Sequence, residues 1–117
     1  MTNYATASVL VPIPTTSKLP DIINGTATSL TASDLAGVTS LKEYALSYLS
    51  SLTYCELPEG LTIINESAFY YCKKLATLIL PSTVTRILPG PFGNCYALTS
   101  FTCKATTPPT LVTSSSL

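Results

Sequence analysis

Histidine is absent from this 117-residue chain, and charged residues make up only 10% of it. Without histidine, the commonest general acid or base of enzymes is missing, and no serine or cysteine has the imidazole partner of a catalytic triad. The six acidic residues fall mostly in predicted turns, where Asp34 and Glu66 suit turns and helix caps. Glycine-rich phosphate-binding loops are also missing. We therefore expect no enzymatic activity, no metal and no cofactor.

Positive charge is sparse as well. Six basic residues balance six acidic ones, and the longest basic run is Lys73-Lys74. Nucleic acids and anionic membranes are bound mainly through clustered positive charge, so we expect neither as a partner. The longest apolar runs, such as Leu78-Ile79-Leu80, are too short to cross a bilayer.

The N-terminus lacks the basic region of a secretory signal peptide, because the first lysine or arginine is Lys18. Three localisations fit this observation. The chain stays in the cell that makes it, it leaves by another route, or a signal has been removed. We favour a phage virion or a cell surface as its location.

The four cysteines match no zinc-binding pattern, since the chain has neither a Cys-x-x-Cys pair nor a histidine. Cys72 and Cys95 share one sequence context, since each follows a phenylalanine at the same spacing. Two interpretations fit this pair. We favour buried free thiols that pack as small apolar side chains, because cysteine is so often interior. The alternative is a disulfide between the two.

What the chain does contain is a 23-residue repeat. Equivalent positions carry the same residue at Leu52/Leu75/Leu98, Leu57/Leu80, Pro58/Pro81, Ile64/Ile87, Phe69/Phe92 and Cys72/Cys95. A fixed period of this size indicates one supersecondary unit stacked on copies of itself. The sequence therefore predicts a short solenoid whose successive copies bury a continuous core.

The extent of the repeat predicts the domain organisation. Residues 1–28 do not show the 23-residue repeat and contain three prolines, so they are predicted to form an extended N-terminal arm. The solenoid is predicted over residues 29–111, as about 3.5 repeats: 29–51 (degenerate), 52–74, 75–97 and 98–111 (partial). Residues 112–117 are a tail.

Within the arm, apolar residues alternate in a way that indicates one short strand, restricted to a sheet edge by the nearby prolines. The strand residues are Val9, Leu10, Val11 and Ile13. We consider two interpretations: an anchoring strand that pairs with another chain, and a frayed terminus.

Each repeat shows the pattern of a strand, a turn, a second short extended piece and a compact helical turn. Leu78 and Leu80 alternate with Thr77 and Ile79, so the leucine side chains are expected to face the core and the other two to face outward. Pro81 should end that strand because it has no N–H to donate. Phe92 and Cys95, three positions apart, should turn one face of the helical turn inward. The predicted fold is an α/β solenoid, dominated by strands, with short helical turns on its outer side.

Strand leucines, a Leu-Pro step, a Leu/Val–Ile pair, a phenylalanine and a cysteine recur together. They lie at Leu52, Leu57-Pro58, Leu61, Ile64, Ala68-Phe69 and Cys72, and at Leu75, Leu80-Pro81, Val84, Ile87, Phe92 and Cys95. This set resembles the leucine-rich repeat family of the BspA type, also called the Treponema pallidum type, over roughly residues 30–111. The chain departs from that pattern in its first repeat, which lacks the Leu-Pro step, and at Pro91, which replaces alanine. The resemblance implies exposed proteins that adhere to host proteins, host cells or other microbes, and similar short arrays occur among phage structural proteins.

Two surfaces are predicted as contact regions. Stacking by 23 places Thr31, Tyr54, Thr77 and Ser100 in one outward column of the main sheet, and Ser33, Glu56, Ile79 and Thr102 in the next. This face is either an ordinary solvated sheet or a contact surface for protein or glycan, with Tyr54 and Ile79 as anchors. The second surface is a set of aromatics on the opposite edge: Tyr48, Tyr70, Tyr71 and Tyr96. Tyrosine suits interfaces because it is large, stiff and amphipathic, although scattered surface tyrosines are also common.

We consider two functions. The first is a non-enzymatic recognition or adhesion module, displayed on a larger assembly or cell surface through its N-terminal arm. The alternative is a structural or decoration protein of a phage virion, whose arm docks into a neighbouring subunit. Deleting residues 1–28 should then abolish incorporation and leave the solenoid folded. Because so few repeats barely support a free-standing solenoid, we expect neighbouring chains or the folded-back arm to cover an exposed end, in an oligomer or larger assembly.

Overall fold

The computed structural model describes residues 14–107 and 109–111. Over these residues the chain forms helix α1 (Leu19–Asn24), a 3₁₀ helix (Ala32–Leu35) and eight strands: β1 (Ser29–Leu30), β2 (Ser40–Leu41), β3 (Tyr54–Glu56), β4 (Ile63–Ile64), β5 (Thr77–Leu80), β6 (Arg86–Ile87), β7 (Ser100–Cys103) and β8 (Thr110–Leu111). They build two parallel four-stranded sheets, in the orders β1-β3-β5-β7 and β2-β4-β6-β8. Each coil of the chain adds one strand to each sheet, so the predicted strand-dominated solenoid is confirmed.

The repeat period is the register of this stack. In the first sheet Tyr54 pairs with Thr77, and Thr77 pairs with Ser100. The outer turns, at residues 43–48, 66–71 and 91–94, are joined in the same way, since the Leu46 N–H donates to the Ala68 carbonyl oxygen at 2.8 Å. Coil-to-coil hydrogen bonds therefore run along both sheets and the outer turns, and they satisfy backbone groups that would otherwise be buried without partners.

The first coil is longer than the period predicts. Strand β1 pairs Ser29 with Tyr54, whereas the period would place Ser29 opposite Leu52, so the predicted columns that begin with Thr31 and Ser33 are wrong. In the second sheet β2 pairs Ser40 with Ile63, in keeping with the period. The extra length therefore lies between β1 and β2, where the chain forms the 3₁₀ helix Ala32–Leu35.

The core consists of equivalent side chains stacked from coil to coil. Leu78 and Leu80 are buried and alternate with half-buried positions, and β5 ends just before Pro81, all as predicted. The rings of Phe69 and Phe92 lie with their centroids 5.7 Å apart. The helical turns predicted on the outer side are minor, because the outer segments of the second and third coils are successive tight turns.

All four cysteines are free thiols in the structure, and of the predicted pair Cys72 is fully buried whereas Cys95 is only partly buried. The Cys72 thiol donates to the Leu46 carbonyl oxygen at 3.0 Å, and the Cys95 thiol donates to that of Phe69 at 3.2 Å. Burial raises the pKa of Cys72 to about 12. These side chains therefore serve as core residues that also satisfy carbonyl groups of the preceding coil.

Helix α1 closes the N-terminal end of the core. The prediction of an extended arm is wrong for this stretch, because it forms a helix whose Leu19 and Ile22 are buried in the core cluster. Gly25, with φ of +88°, caps the helix after Asn24. Removing residues 1–28 would take this cover away and expose the first coil, so the deletion should destabilise the solenoid, contrary to the prediction that it stays folded. The predicted strand at Val9, Leu10, Val11 and Ile13 lies outside the described residues.

Asp34 attaches the segment before α1 to the first coil. Its Oδ1 accepts a hydrogen bond from the Lys18 N–H at 3.0 Å. Its Oδ2 accepts from the Thr31 N–H at 2.9 Å and from the Thr31 hydroxyl at 3.0 Å. Burial alone would raise the pKa of Asp34, but the hydrogen bonds from Thr31 and Lys18 outweigh it and the net pKa is lowered. The buried carboxylate is therefore a fully satisfied part of the capping structure.

Candidate contact surface

The outer turns carry tyrosine at backbone positions that rarely hold it. Two positions in each turn have left-handed φ and recur with the repeat: Tyr44 (61°), Ser67 (56°) and Gly90 (64°) at the first, and Tyr48 (61°), Tyr71 (63°) and Asn94 (60°) at the second. This conformation costs most residues about 1–2 kcal/mol, whereas glycine and asparagine adopt it readily. The third coil thus uses the residue types suited to these positions, and the first two coils use tyrosine at three of four.

Four tyrosines of the first two coils form one cluster, which we call the tyrosine edge: Tyr44, Tyr48, Tyr70 and Tyr71. The Tyr48 ring centroid lies 5.6 Å from that of Tyr70 and 5.5 Å from that of Tyr71. The Tyr44 ring meets the Tyr70 ring edge-on at 6.1 Å. Even so, Tyr44 and Tyr48 are 38% and 41% exposed. The rings therefore support one another and still present apolar surface.

The backbone beneath the tyrosine edge is fixed by the coil stack. The Tyr48 N–H donates to the Tyr70 carbonyl oxygen, and the Tyr71 N–H donates to that of Gly93, both at 2.8 Å. The Tyr70 ring lies directly on Gly93, where a Cβ would stand only 2.9 Å from Tyr70 Cδ1. A residue larger than glycine at this position would displace the ring, so Gly93 is a positioning residue of the surface.

A groove of about 320 Å³ opens beside the cluster, lined by Tyr48, Ser50, Tyr71 and Lys73. The Lys73 ammonium lies 4.9 Å from the centre of the Tyr71 ring, within cation–π range. The groove thus combines aromatic surface with one positive charge and one hydroxyl. Such a combination suits contact with another molecule's side chains or sugar rings and contains no catalytic pair.

Residues 24–111 match the family model described as the BspA type leucine rich repeat region, with six copies of its repeat. This chain belongs to the BspA-type leucine-rich repeat family. A similar solved structure is a leucine-rich cell surface protein from Faecalibacterium prausnitzii A2-165, at 35% identity and a TM-score of 0.56. The match covers 58% of this chain and 18% of that protein, so the chain spans a small part of its relative's length. No curated protein matches the chain. Family and neighbour together point to a protein-interaction module with a non-enzymatic binding fold.

Three of the four aromatics predicted for the outer edge of this BspA-type array lie together, namely Tyr48, Tyr70 and Tyr71. Tyr96 is separate from them. It is 72% exposed, its hydroxyl donates to Asn94 Oδ1 at 3.1 Å, and its ring makes no aromatic contact within the described part of the chain. Its place in the repeat explains this, because the equivalent position one coil earlier holds Lys73 and not a tyrosine.

Sequence reasoning missed two residues of this surface, Tyr44 and Gly93. Both could have been found from the 23-residue repeat. Tyr44 is equivalent to Ser67, in the turn that also carries Tyr70 and Tyr71. Gly93 is equivalent to Tyr70, so the Tyr70 ring stacks on a residue without a side chain in the next coil.

The outward face of the first sheet keeps the predicted columns from β3 onward. Tyr54, Thr77 and Ser100 are paired in one, and Glu56, Ile79 and Thr102 in the other. Glu56 forms an ion pair with Lys104 at 3.5 Å, across the width of two coils. The middle of this face is half-buried and Ser100 and Thr102 are exposed, so the face is a flat and mostly neutral surface. Its role in binding stays a prediction.

Across residues 14–107 and 109–111, no group of three or more histidine, cysteine or acidic side chains could hold a metal ion. No helix in the same part of the chain has the length and apolar character needed to cross a membrane.

Proposed function

We propose that this BspA-type array is a non-enzymatic recognition module that contacts a partner protein through its tyrosine edge. The observation that carries the proposal is the placement of Tyr44, Tyr48 and Tyr71 in left-handed backbone. Strained residues of this kind cluster at functional sites, because the strain persists only where something offsets it. The same turn positions in the third coil hold Gly90 and Asn94, which avoid the strain.

The ring contacts within the tyrosine edge are similar in free energy to the cost of its left-handed backbone. Each aromatic pair contributes about 0.5–1.5 kcal/mol, which is similar to the left-handed penalty of about 1–2 kcal/mol per residue. More than a third of the surface of Tyr44 and of Tyr48 stays exposed, so these residues gain only part of the free energy of burial. Tyrosine is one of the residue types that dominate protein interfaces, and a groove with a lysine at its rim adds polar anchoring.

Adhesion at an exposed surface is the setting that we propose, because the similar solved structure is described as a cell surface protein. A protein is the partner that we favour, and glycan is a separate outcome of the test below. The phage-virion alternative rests on the predicted docking segment, and its key residues before Pro14 lie outside the described part of the chain.

The test replaces Tyr48 and Tyr71 together by asparagine, the residue found at Asn94. Relief of strain at two residues offsets part of the loss of their ring contacts, so we expect the double variant to stay folded, which urea unfolding checks. Binding to immobilised fibronectin, to mucin and to deglycosylated mucin is then measured by surface plasmon resonance. We expect the double variant to lose about tenfold or more in affinity for the bound probe, as for interface hot spots.

The matched control is Tyr96→Asn, which removes an exposed tyrosine outside the cluster and should leave affinity unchanged. A wild-type chain that binds none of the probes, or a double variant that binds like the wild type, would contradict the proposal. Binding that disappears when mucin is deglycosylated would replace the protein partner by a glycan.

A further inference from the structure

The two ends of the core are closed differently. At the N-terminal end, Leu19 and Ile22 of α1 are buried over the first coil. At the other end, Phe101 of β7 pairs with Leu78 of β5 and belongs to the same inward column. Leu78 is 0% exposed, whereas Phe101 is 46% exposed. Among the described residues, the core column therefore reaches solvent at Phe101.

An apolar surface surrounds Phe101. Its ring packs edge-on against Phe92, with centroids 5.6 Å apart. Cys95, Leu98 and Cys103 are also only partly buried against the core, although their equivalents one coil earlier are fully buried. We call this surface the open end: Phe92, Cys95, Leu98, Phe101 and Cys103.

Strand β7 borders the open end and is the last strand of its sheet among the described residues. The N–H groups of Ser100 and Lys104 donate to carbonyl oxygens of the preceding coil. Because hydrogen-bonding groups alternate sides along a strand, the N–H and C=O of Phe101 and Cys103 point away from β5. The four residues of β7 include no charge and no proline, the two features that most often protect a sheet edge.

We propose that the open end is an interface between two copies of this chain, joined tail to tail with the two β7 strands antiparallel. Head-to-tail stacking is blocked because α1 covers the N-terminal end and exposes Pro20, Asp21 and Asn24. Between copies of this chain, the open end can therefore meet only another open end, and a two-fold pairing of this kind closes at two copies. The formal net charge of zero puts no overall repulsion between them.

This pairing is independent of the proposed function. The tyrosine edge belongs to the outer turns of the first two coils, whereas β7 belongs to the last coil, so the tyrosine edge stays accessible in the pair. A dimer would present two tyrosine edges, so a partner with repeated sites would be bound with increased avidity.

The test measures the mass of the 117-residue chain by sedimentation velocity from about 1 to 100 µM, the range in which modest protein interfaces dissociate. We expect a reversible monomer–dimer equilibrium in the wild type. Phe101→Lys places a charge at the centre of the interface and should weaken dimerisation by about 100-fold. Thr39→Lys adds the same charge to an exposed position of the first coil and should leave dimerisation unchanged.

Hydrogen exchange of the wild type keeps the proposal testable if Phe101→Lys fails to fold. The amides of Phe101 and Cys103 should gain protection as the concentration rises, and those of the first coil should not. Strong protection of these two amides in the dilute monomer would assign the cover to another segment of the same chain and overturn the proposal. A wild type that stays monomeric at about 100 µM, or a mass that keeps growing past two copies, would overturn it as well.

Discussion

Asp34→Asn tests whether the α1 cap is held by one buried carboxylate. The two carboxylate oxygens accept three hydrogen bonds, one from the Lys18 N–H and two from Thr31. Asparagine is nearly isosteric but has only one acceptor oxygen, so its NH₂ group must face a backbone N–H. Either the Lys18 N–H or the Thr31 N–H then loses its partner in a partly buried setting.

The expected loss follows from these contacts. A hydrogen bond to a charged group contributes about 1.5–3 kcal/mol, and a buried donor left without a partner costs about 1–3 kcal/mol. We expect Asp34→Asn to lower the free energy of unfolding by about 2–3 kcal/mol at pH 7, which is a large part of the total for a domain of this size. Urea unfolding followed by far-UV circular dichroism measures it. The control is Glu59→Gln, which removes an exposed carboxylate that accepts from Ser82 and should cost clearly less.

The same variant has a distinctive pH dependence. The pKa of Asp34 is lowered from 3.8 in the folded state, because its hydrogen bonds outweigh the effect of burial. A lowered folded pKa means that the carboxylate stabilises the fold fully above its unfolded pKa, and that this contribution is lost as the pH falls through the folded pKa. The gap between wild type and Asp34→Asn should therefore narrow in acid. A variant within about 0.5 kcal/mol of the wild type at pH 7, or a gap that does not narrow in acid, would refute the assigned role.

Three further predictions concern the core and the cap. Phe69→Ala removes a fully buried ring and should lower the free energy of unfolding by about 3–5 kcal/mol in the same urea assay. Burial raises the pKa of both Cys55 and Cys72, so these thiols should resist a disulfide reagent at pH 8 until urea unfolds the chain, whereas fast labelling in native buffer would contradict their burial. Deleting residues 1–28 removes α1 with its buried Leu19 and Ile22, and should lower the thermal midpoint by roughly 10 °C or more, as measured by circular dichroism.

The sequence was enough to predict the solenoid, its register after the first coil and most of its core. The reason is that a stacked repeat turns a distance in sequence into a contact in space. Side chains one period apart, such as Phe69 and Phe92, must meet if the coils stack at all. Alternation in β5 then decided which side chains face inward. No knowledge of distant packing is needed for either inference.

The α1 cap and the length of the first coil were harder to predict from the sequence. Leu19 and Ile22 give only one turn of apolar residues at helical spacing, which is too little to indicate a helix. The nearby prolines instead suggest an extended segment. A helix as short as α1 has little stability of its own, so it forms here because its apolar side covers the first coil. The extra length before β2 likewise follows from the capping structure around Asp34 and not from the repeat.

The sequence by itself determined the architecture, because the periodic spacing of apolar residues has one good stacking solution. Tertiary structure alone decided the conformation of the tyrosine edge. Tyrosine disfavours left-handed backbone, so nothing in the local sequence predicts a left-handed φ at Tyr48 or Tyr71. The conformation is imposed by hydrogen bonds between turns of successive coils, which form only once the whole stack is assembled.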